Sequence, residues 1–254
     1  MDAIQVVVAL GGLAVGSFLN VVIHRLPRGI SIVWPPSACA YCGARIRWYD
    51  NVPVVSWIVL RGRCRDCHAP ISIRYPLIEL VTMAAFLACY WVFGPGLLLV
   101  ARLLLTTALV ALFAIDLEHQ LLPNAVTLPG IAVGLACSLV LPPGLRDALI
   151  GAVAGGGLLW AIAEAWQRLR HMDAMGGGDL KMLAMVGAFL GWKLVIVTFV
   201  LSSIIGGLFA AVLLALRKTT LTTAVPYGTF LAIAAFIAGL RGDWLLEWYL
   251  SFYL

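Results

Sequence analysis

Two acidic residues lie in short polar interruptions of an otherwise apolar chain. Asp179 follows a run of three glycines, and Asp116 opens the polar stretch 116–124. An acid at the edge of a membrane segment is costly unless it has a function, so both are candidates for chemistry. Two carboxylates on one face can share a proton, so that one activates water while the other polarises a carbonyl group. The pair predicts aspartic-protease chemistry, unless each acid only caps the helix that follows it.

Residues beside the two acids have several possible roles. The missing side chains of the glycine run would leave room for an extended peptide beside Asp179. Lys181 lies two residues further on, so on a regular helix it faces elsewhere and could be a lipid-headgroup anchor. The predicted substrate-access loop is Gly176, Gly177, Gly178 and Lys181. Other interfacial groups, which we expect to be solvated and not catalytic, are Glu118, His119, His171 and Asp173.

Four cysteines form two C-x-x-C pairs in the one long polar loop. The ligands are Cys39, Cys42, Cys64 and Cys67, with 21 residues between the pairs. This spacing is typical of a zinc ribbon in a reducing compartment, and four thiolates would close the site to water, so zinc would be structural. Two redox dithiols are the alternative. Cys89 and Cys137 lie alone in apolar segments, where we expect buried, inert thiols.

The elements that position these groups are membrane helices. The 254 residues are 63% apolar and 11% charged, with a mean hydropathy of +1.01. Soluble domains are roughly one-quarter charged, so this composition predicts an all-α polytopic membrane protein embedded in a lipid bilayer. The net charge of +5 could suggest nucleic acid, but the basic residues cluster in loops beside membrane segments. Topology explains them better, and we expect no nucleic-acid partner.

Hydropathy and turn residues predict about eight spans. Eight of the 17 basic residues fall in the loop 25–74, which places that loop in the cytosol and the N-terminus outside. Alternation then brings Asp116 and Asp179 to cytosolic ends. We divide the chain into a first transmembrane helix (1–24), a cysteine-loop domain (25–75) and a transmembrane core (76–254). The spans are 4–23, 76–93, 97–115, 124–141, 148–166, 180–190, 194–216 and 225–240.

Two other classes of protein are compatible with parts of this pattern. A transporter or channel could carry membrane acids and a cytosolic zinc module, but transport predicts acids near mid-span, facing a cavity. A non-proteolytic assembly subunit could use the zinc loop for docking. The interfacial placement of Asp116 and Asp179 favours the protease.

Five ordered blocks resemble the type IV prepilin peptidases, which are membrane aspartic proteases of the GxGD kind. The resemblance covers nearly the whole chain and assigns the family's two catalytic acids to Asp116 and Asp179. It implies an enzyme of the bacterial inner membrane that cleaves prepilins and pseudopilins after a glycine at the cytosolic face. The blocks are 16–27 (GSFLNVVIHRLP), 48–53 (WYDNVP), 71–76 (ISIRYP), 116–124 (DLEHQLLPN) and 175–181 (MGGGDLK).

The resemblance also implies a second activity. Family members with the cysteine loop methylate the new N-terminus of the cleaved pilin, using S-adenosylmethionine. The chain has no strand-glycine-helix fingerprint for a nucleotide, so the methyl donor needs a site of another kind. Gly62 and Arg63 could bind its carboxylate, or they could form an ordinary turn with a solvated arginine. The pattern indicates no particular substrate pilin or oligomeric state.

Overall fold

The computed structural model describes residues 2–170, 176–216 and 226–252, and it is almost entirely helical. The described part contains no strand, only two isolated β-bridges in the cysteine loop. The chain divides into two compact units, Met1–Leu99 and Val100–Leu254. The helices are α1 (Ala3–Arg25), α2 (Val55–Val59), α3 (Arg74–Phe93), α4 (Leu97–His119), α5 (Asn124–Cys137), α6 (Leu145–Arg170), α7 (Gly177–Ala215) and α8 (Tyr227–Leu250).

Six of these helices are long and apolar enough to cross a membrane, and α5 is a shorter apolar helix. The predicted all-α polytopic fold is therefore confirmed. Two expected spans, 180–190 and 194–216, form a single element, because α7 runs through both. It is interrupted at Gly191, whose φ of 81° lies in the left-handed region that favours glycine. The apolar helices and the two halves of α7 match the eight predicted segments in order.

The first unit is built on the helix pair α1 and α3. Both helices need close approach, since a Cβ at Gly12 would lie 2.7 Å from the Met83 backbone and one at Gly16 would lie 2.6 Å from Glu79 Cα. From Gly12 to Gly16 the contacts move forward along α1, and from Met83 to Glu79 they move backward along α3. The two helices are therefore antiparallel. The cysteine loop connects the ends at which α1 finishes and α3 begins.

The second unit is organised around the first half of α7. Residues 182–191 are all buried except Ala184, in contact with α5, α6 and α8. Glycines let α6 and α7 approach closely: a Cβ at Gly187 would lie 2.1 Å from the Gly151 carbonyl oxygen, and one at Gly155 would lie 2.6 Å from the Leu183 oxygen. A helix enclosed on several sides holds its first turn in place, and that turn carries Asp179.

Candidate functional site

Asp116 lies near the end of α4 and is only 5% exposed. Its Oδ2 accepts hydrogen bonds from the backbone amide of Thr229 at 2.7 Å and from the Thr229 hydroxyl at 3.1 Å. Thr229 is the third residue of α8, so its amide is one of the first helical N–H groups, which have no partner within their own helix. The N-terminus of α8 therefore fixes the orientation of the Asp116 carboxylate.

Asp179 is the third residue of α7 and is 9% exposed. Gly178, the residue before Asp179, and Gly228, which lies against the Asp116 carboxylate, both pack against Leu122, so the two acids share one environment. Among the residues that the structure describes, none donates a hydrogen bond to the Asp179 side chain. The structure thus brings together two acids from distant parts of the chain, and they differ in hydrogen bonding.

Neither acid caps the helix that follows it in the sequence. The residue before α5 is Pro123, and Asp116 lies inside α4. Gly176 takes the cap position of α7, and its carbonyl accepts from the Asp179 amide at 3.1 Å. Asp116 instead accepts from the N-terminus of α8, more than 100 residues further along the chain. Simple capping of the following helix is therefore excluded for both acids.

Leu122 fills the space beside the two acids. A Cβ at Gly178 would lie 2.8 Å from Leu122 Cβ, and a Cβ at Gly228 would lie 2.9 Å from Leu122 Cδ1 and 3.0 Å from the Asp116 carboxylate. Gly178 and Gly228 thus allow α7 and α8 to approach the turn between α4 and α5. By contrast, an added Cβ would meet nothing within 4 Å at Gly177, and at Gly176 it would lie 3.7 Å from Asp179 Oδ2.

The other residues predicted near the two acids make their contacts elsewhere. Lys181 Nζ donates to Asn124 Oδ1 at 2.8 Å, which joins the first turns of α7 and α5. Glu118 and His119 are both partly exposed, with 3.9 Å between their nearest charged atoms. Two of the predicted interfacial groups, His171 and Asp173, lie outside the described residues. Lys181 acts here as a tether between two helices.

Gly228 and Thr229 belong to the site but were not predicted from the sequence. Their signal is a proline and a glycine followed by a hydroxyl residue, at the start of an apolar segment: Pro226-Tyr227-Gly228-Thr229. A proline there indicates a helix start, but only the tertiary structure brings this start to Asp116.

The four predicted metal-binding cysteines lie together in the first unit. Their Sγ atoms are all within 4.8 Å of one another, and those of Cys39 and Cys67 are 3.8 Å apart. Thiolates bound tetrahedrally to zinc at about 2.3 Å are separated by about 3.8 Å. None of the six cysteines forms a disulfide, and Cys89 is buried as expected, whereas Cys137 is only partly buried. This arrangement is suited to a metal ion.

Each C-x-x-C pair lies in the same kind of small turn. The amide of Cys39 donates to Ala44 at 2.9 Å, and that of Cys64 donates to Ala69 at 2.8 Å. The fourth residue after the first cysteine has a positive φ in both turns: 71° at Gly43 and 58° at His68. Hydrogen bonds from the backbone amides of Cys42 and Tyr41 lower the pKa of the Cys39 thiol to about 6, whereas desolvation and the neighbouring thiols raise the pKa of Cys67 to about 12. Before metal binds, the thiolate is therefore favoured at Cys39 and disfavoured at Cys67.

An ion pair supports this loop. The Arg65 guanidinium binds both oxygens of Asp50, with Nη2 2.6 Å from Oδ1 and Nε 2.9 Å from Oδ2. Hydrogen bonding from Arg65 lowers the pKa of the Asp50 carboxyl. Arg65 lies next to Cys64, so the pair links the second cysteine turn to the 3-10 turn Trp48–Asn51.

Gly62 and Arg63, the predicted methyl-donor contacts, lie at the end of the turn that follows α2. Gly62 has a φ of 66°, and a Cβ there would lie 3.0 Å from the Trp57 ring. The Trp57 indole N–H donates to the Ile71 carbonyl at 3.1 Å, and the Ile71 amide donates to the Gly62 carbonyl at 2.7 Å. Arg63 forms one of the two isolated bridges, with Pro70.

Two family models match this chain, over separate ranges. Residues 10–93 match the bacterial peptidase A24 N-terminal domain, and residues 103–211 match the type IV leader peptidase family. A prepilin leader peptidase/N-methyltransferase of Aeromonas hydrophila is 42% identical over 97% of this chain and 94% of its own length. One of the same name from Pseudomonas aeruginosa is 41% identical over 95% of this chain and 91% of its own length. No solved structure matches significantly. The chain therefore belongs to the type IV leader peptidase family.

Proposed function

We propose that this protein is a membrane aspartic endopeptidase that removes the leader from type IV prepilins and pseudopilins. The observation that carries the proposal is the convergence of Asp116 and Asp179, two buried acids from different motifs, in one unit. The relatives' name, prepilin leader peptidase/N-methyltransferase, supports the substrate class. Cleavage follows a glycine, and the apolar helix of the substrate stays in the bilayer.

The unequal hydrogen bonding of the two acids supports a different role for each. Two donors from Thr229 stabilise negative charge on Asp116, as does the positive end of the α8 dipole. Asp116 is then the general base that takes a proton from water, and Asp179 is the acid that donates its proton to the scissile carbonyl oxygen. The water oxygen attacks the carbonyl carbon and gives a tetrahedral intermediate without an acyl-enzyme. Its collapse releases the new amino terminus and the leader carboxylate.

The glycine run and Lys181 form the wall of this site. Gly176 and Gly177 keep the approach to Asp179 free of side chains, and the extended substrate backbone passes beside them, whereas Gly178 makes room for Leu122. Lys181 holds the start of α7 through Asn124. These assignments rest on the close packing of Gly178 against Leu122 and on the open surroundings of Gly177.

Methyl transfer to the new amino terminus is the second proposed activity. S-adenosylmethionine supplies the methyl group when bound, and Gly62 and Arg63 are the proposed contacts for its carboxylate. The cysteine cluster holds one structural zinc ion, because four thiolates leave no open position for catalysis. Such a small polar loop buries little apolar surface, so metal binding contributes much of its folding free energy.

The protein is a multi-pass membrane protein, and we assign its active site to the cytosolic face of the inner membrane. The eight basic residues of the loop 25–74 support a cytosolic cysteine loop and an external N-terminus. Asp116 and Asp179 lie at the ends of their helices that this orientation places in the cytosol. A transporter would hold its acids near mid-span, which these positions do not favour.

Incubation of the purified protein with a prepilin and S-adenosylmethionine, followed by mass measurement, tests both activities together. We expect loss of the leader and gain of one methyl group. Asp116→Asn and Asp179→Asn should each abolish cleavage while leaving zinc content unchanged, whereas the exposed Asp243→Asn should cleave normally. Near-native cleavage by either of the first two variants would show that the dyad assignment is wrong.

A further inference from the structure

Three sequence blocks that the peptidase mechanism does not use meet in the first unit. They are the end of α1 (16–27), the turn 48–53 with the residue that follows it, and the start of α3 (71–76). Gly16 lies against Glu79, one turn into α3, and Asn20 Nδ2 donates to the Tyr75 carbonyl at 3.1 Å. The backbone amide of Val54, just after the second block, donates to Glu79 Oε2 at 2.7 Å. Glu79 therefore lies where the three blocks converge.

Glu79 is a buried acid of α3. It is 6% exposed, and the ion pairs of the described residues do not include it. Its hydrogen-bond donor, the Val54 amide, is neutral. A buried carboxylate that lacks a cationic partner is costly in a membrane helix, and such residues mark sites where a ligand supplies the missing charge.

Asn20 adds a second acceptor at the same interface. The residue is 3% exposed, and its Nδ2 donates to two carbonyl oxygens, those of Tyr75 and Gly16. Because two acceptors face Nδ2, the other amide atom must be the oxygen. That oxygen, Oδ1, is buried and has no hydrogen-bond partner. A buried acceptor without a donor is destabilising, so its retention needs a reason.

Asn20 bonds to the Tyr75 carbonyl, and Tyr75 lies one helical turn before Glu79 on α3, so the two acceptors are neighbours at the α1–α3 interface. Gly16 faces Glu79, and Asn20 faces Tyr75. Gly16 and Asn20 are four residues apart on α1, as are Tyr75 and Glu79 on α3. A single group with several N–H donors and a positive charge could satisfy both. Of the groups in the proposed reactions, a primary ammonium fits this requirement.

We propose that Asn20 and Glu79 form a binding site for a primary amine, the amino terminus that leader cleavage exposes. The inference rests on the proposed N-methyltransferase activity and locates its acceptor substrate. The Val54 amide holds the Glu79 carboxylate beside the turn that leads into α2. The apolar helix of the substrate would lie along the bilayer, with its amino terminus at the loop-side end of α1 and α3.

Within this site the residues prepare the amine for methylation. Glu79 accepts one proton from the ammonium, which leaves a neutral amine with a free lone pair and a protonated carboxyl group. The lone pair forms the N–C bond as the C–S bond of the sulfonium methyl donor breaks, and that electron pair stays on sulfur as a thioether. The product is a secondary ammonium, and Glu79 returns its proton to water. Asn20 Oδ1 accepts a hydrogen bond from the nitrogen throughout.

The local connectivity links this site to the proposed donor contacts. Val54 precedes α2, and α2 carries Trp57, whose ring packs against Gly62. Val54 has a φ of 61°, which is a strained conformation for a β-branched residue. The bond from the Val54 amide to Glu79 is one of the contacts that hold this conformation. The proposed amine site and the proposed methyl-donor contacts are thus connected by the five residues of α2 and one turn.

Peptide binding without any methyl donor tests the proposal directly. The full-length protein in lipid nanodiscs is titrated with a peptide of a mature pilin N-terminus and with the same peptide acetylated. We expect the free amine to bind about tenfold more tightly, as for a charge-assisted contact. Glu79→Gln keeps an acceptor for Val54 but removes the charge, so it should lose this preference. Asn20→Leu should reduce it.

Controls separate binding from folding and from the proposed activities. Thr82→Val alters a buried hydroxyl that bonds only within α3, to the Ile78 carbonyl at 2.7 Å, and should keep the preference. Prepilin cleavage and zinc content should be normal in all three variants. Equal binding of both peptides by the wild type would overturn the proposal, as would full preference in Glu79→Gln or in Asn20→Leu.

Activity assays on the same preparation distinguish failure of the amine site from failure of the proposed function. If the wild type cleaves and methylates a prepilin but does not prefer the free amine, only the amine site is wrong. If the wild type cleaves and never methylates, the methyl-transfer half of the proposed function is wrong, and the amine site with it.

Discussion

The Asp116 carboxylate lies at the N-terminus of α8, where Thr229 donates to it from both its amide and its hydroxyl. Asp116 and Thr229 are 113 residues apart in the chain. Their contact makes the two acids of the site unequal, because Asp116 has two fixed donors and Asp179 has none among the described residues. An aspartic dyad needs such a difference, since one acid must act as base while the other carries the proton.

Removing the Thr229 hydroxyl should slow cleavage without unfolding the protein. Thr229→Val keeps the shape and the amide donor but loses the 3.1 Å bond, so we expect kcat for prepilin cleavage to fall about tenfold. The low-pH limb of the rate profile should move to higher pH, because less hydrogen bonding stabilises the charged base. Thr229→Ser should restore activity.

Thr198→Val is the matched control for that change. Thr198 is fully buried in α7, and its hydroxyl bonds only to the Leu194 carbonyl of its own helix. We expect the rate and the pH profile to stay unchanged. A pH profile that is identical in Thr229→Val and the wild type would contradict the positioning of Asp116 by this hydroxyl.

Small side chains at two glycines should disrupt the acid pair. An alanine Cβ at Gly178 would come within 2.8 Å of Leu122, and one at Gly228 within 3.0 Å of the Asp116 carboxylate. We expect either variant to reduce cleavage at least tenfold, with zinc content unchanged. Gly207→Ala is the control, because a Cβ there would meet nothing within 4 Å. Normal cleavage by Gly178→Ala would show that Leu122 moves aside freely.

Loss of one cysteine ligand should release the metal and loosen the loop. Cys39→Ser and Cys64→Ser should each bring bound zinc well below one equivalent, measured by elemental analysis of reduced protein. Limited trypsin digestion should then cut the arginine-rich loop faster. Cys137→Ser changes a thiol of the second unit and should keep the zinc. Full zinc content in both ligand variants would contradict the four-cysteine site.

Asp50→Asn should accelerate zinc loss near neutral pH. Arg65 lowers the pKa of Asp50, so the charged carboxylate stabilises the folded loop above the ordinary aspartate pKa of about 4. That stabilisation disappears as the pH falls through the lowered folded-state pKa. The ratio of zinc-release rates, variant over wild type, should exceed one at pH 7 and approach one in acid.

The exposed Asp66→Asn provides the comparison for Asp50. Asp66 has a single 3.4 Å contact with Arg47, and both side chains are nearly half exposed, so its removal should have little effect. A zinc-release ratio of one for Asp50→Asn at pH 7 would show that the Arg65 pair does not stabilise the cysteine loop.

Local signals in the sequence were sufficient for the elements and for the chemistry within each motif. Long apolar runs determine membrane helices, because backbone polar groups in lipid must bond within their own segment. The C-x-x-C spacing places two cysteines in one tight turn, so the cysteine cluster could be predicted. The break at Gly191 falls between two predicted spans, 180–190 and 194–216.

Contacts between distant segments were decided only by the tertiary structure. No local rule connects Asp116 to Thr229, or Glu79 to Val54, because these contacts depend on how helices pack. The unpartnered oxygen of Asn20 is likewise invisible in a sequence, where an asparagine near a helix end is unremarkable. The sequence therefore determined which residues could do chemistry, while packing decided which of them meet and with what charge and hydrogen bonds.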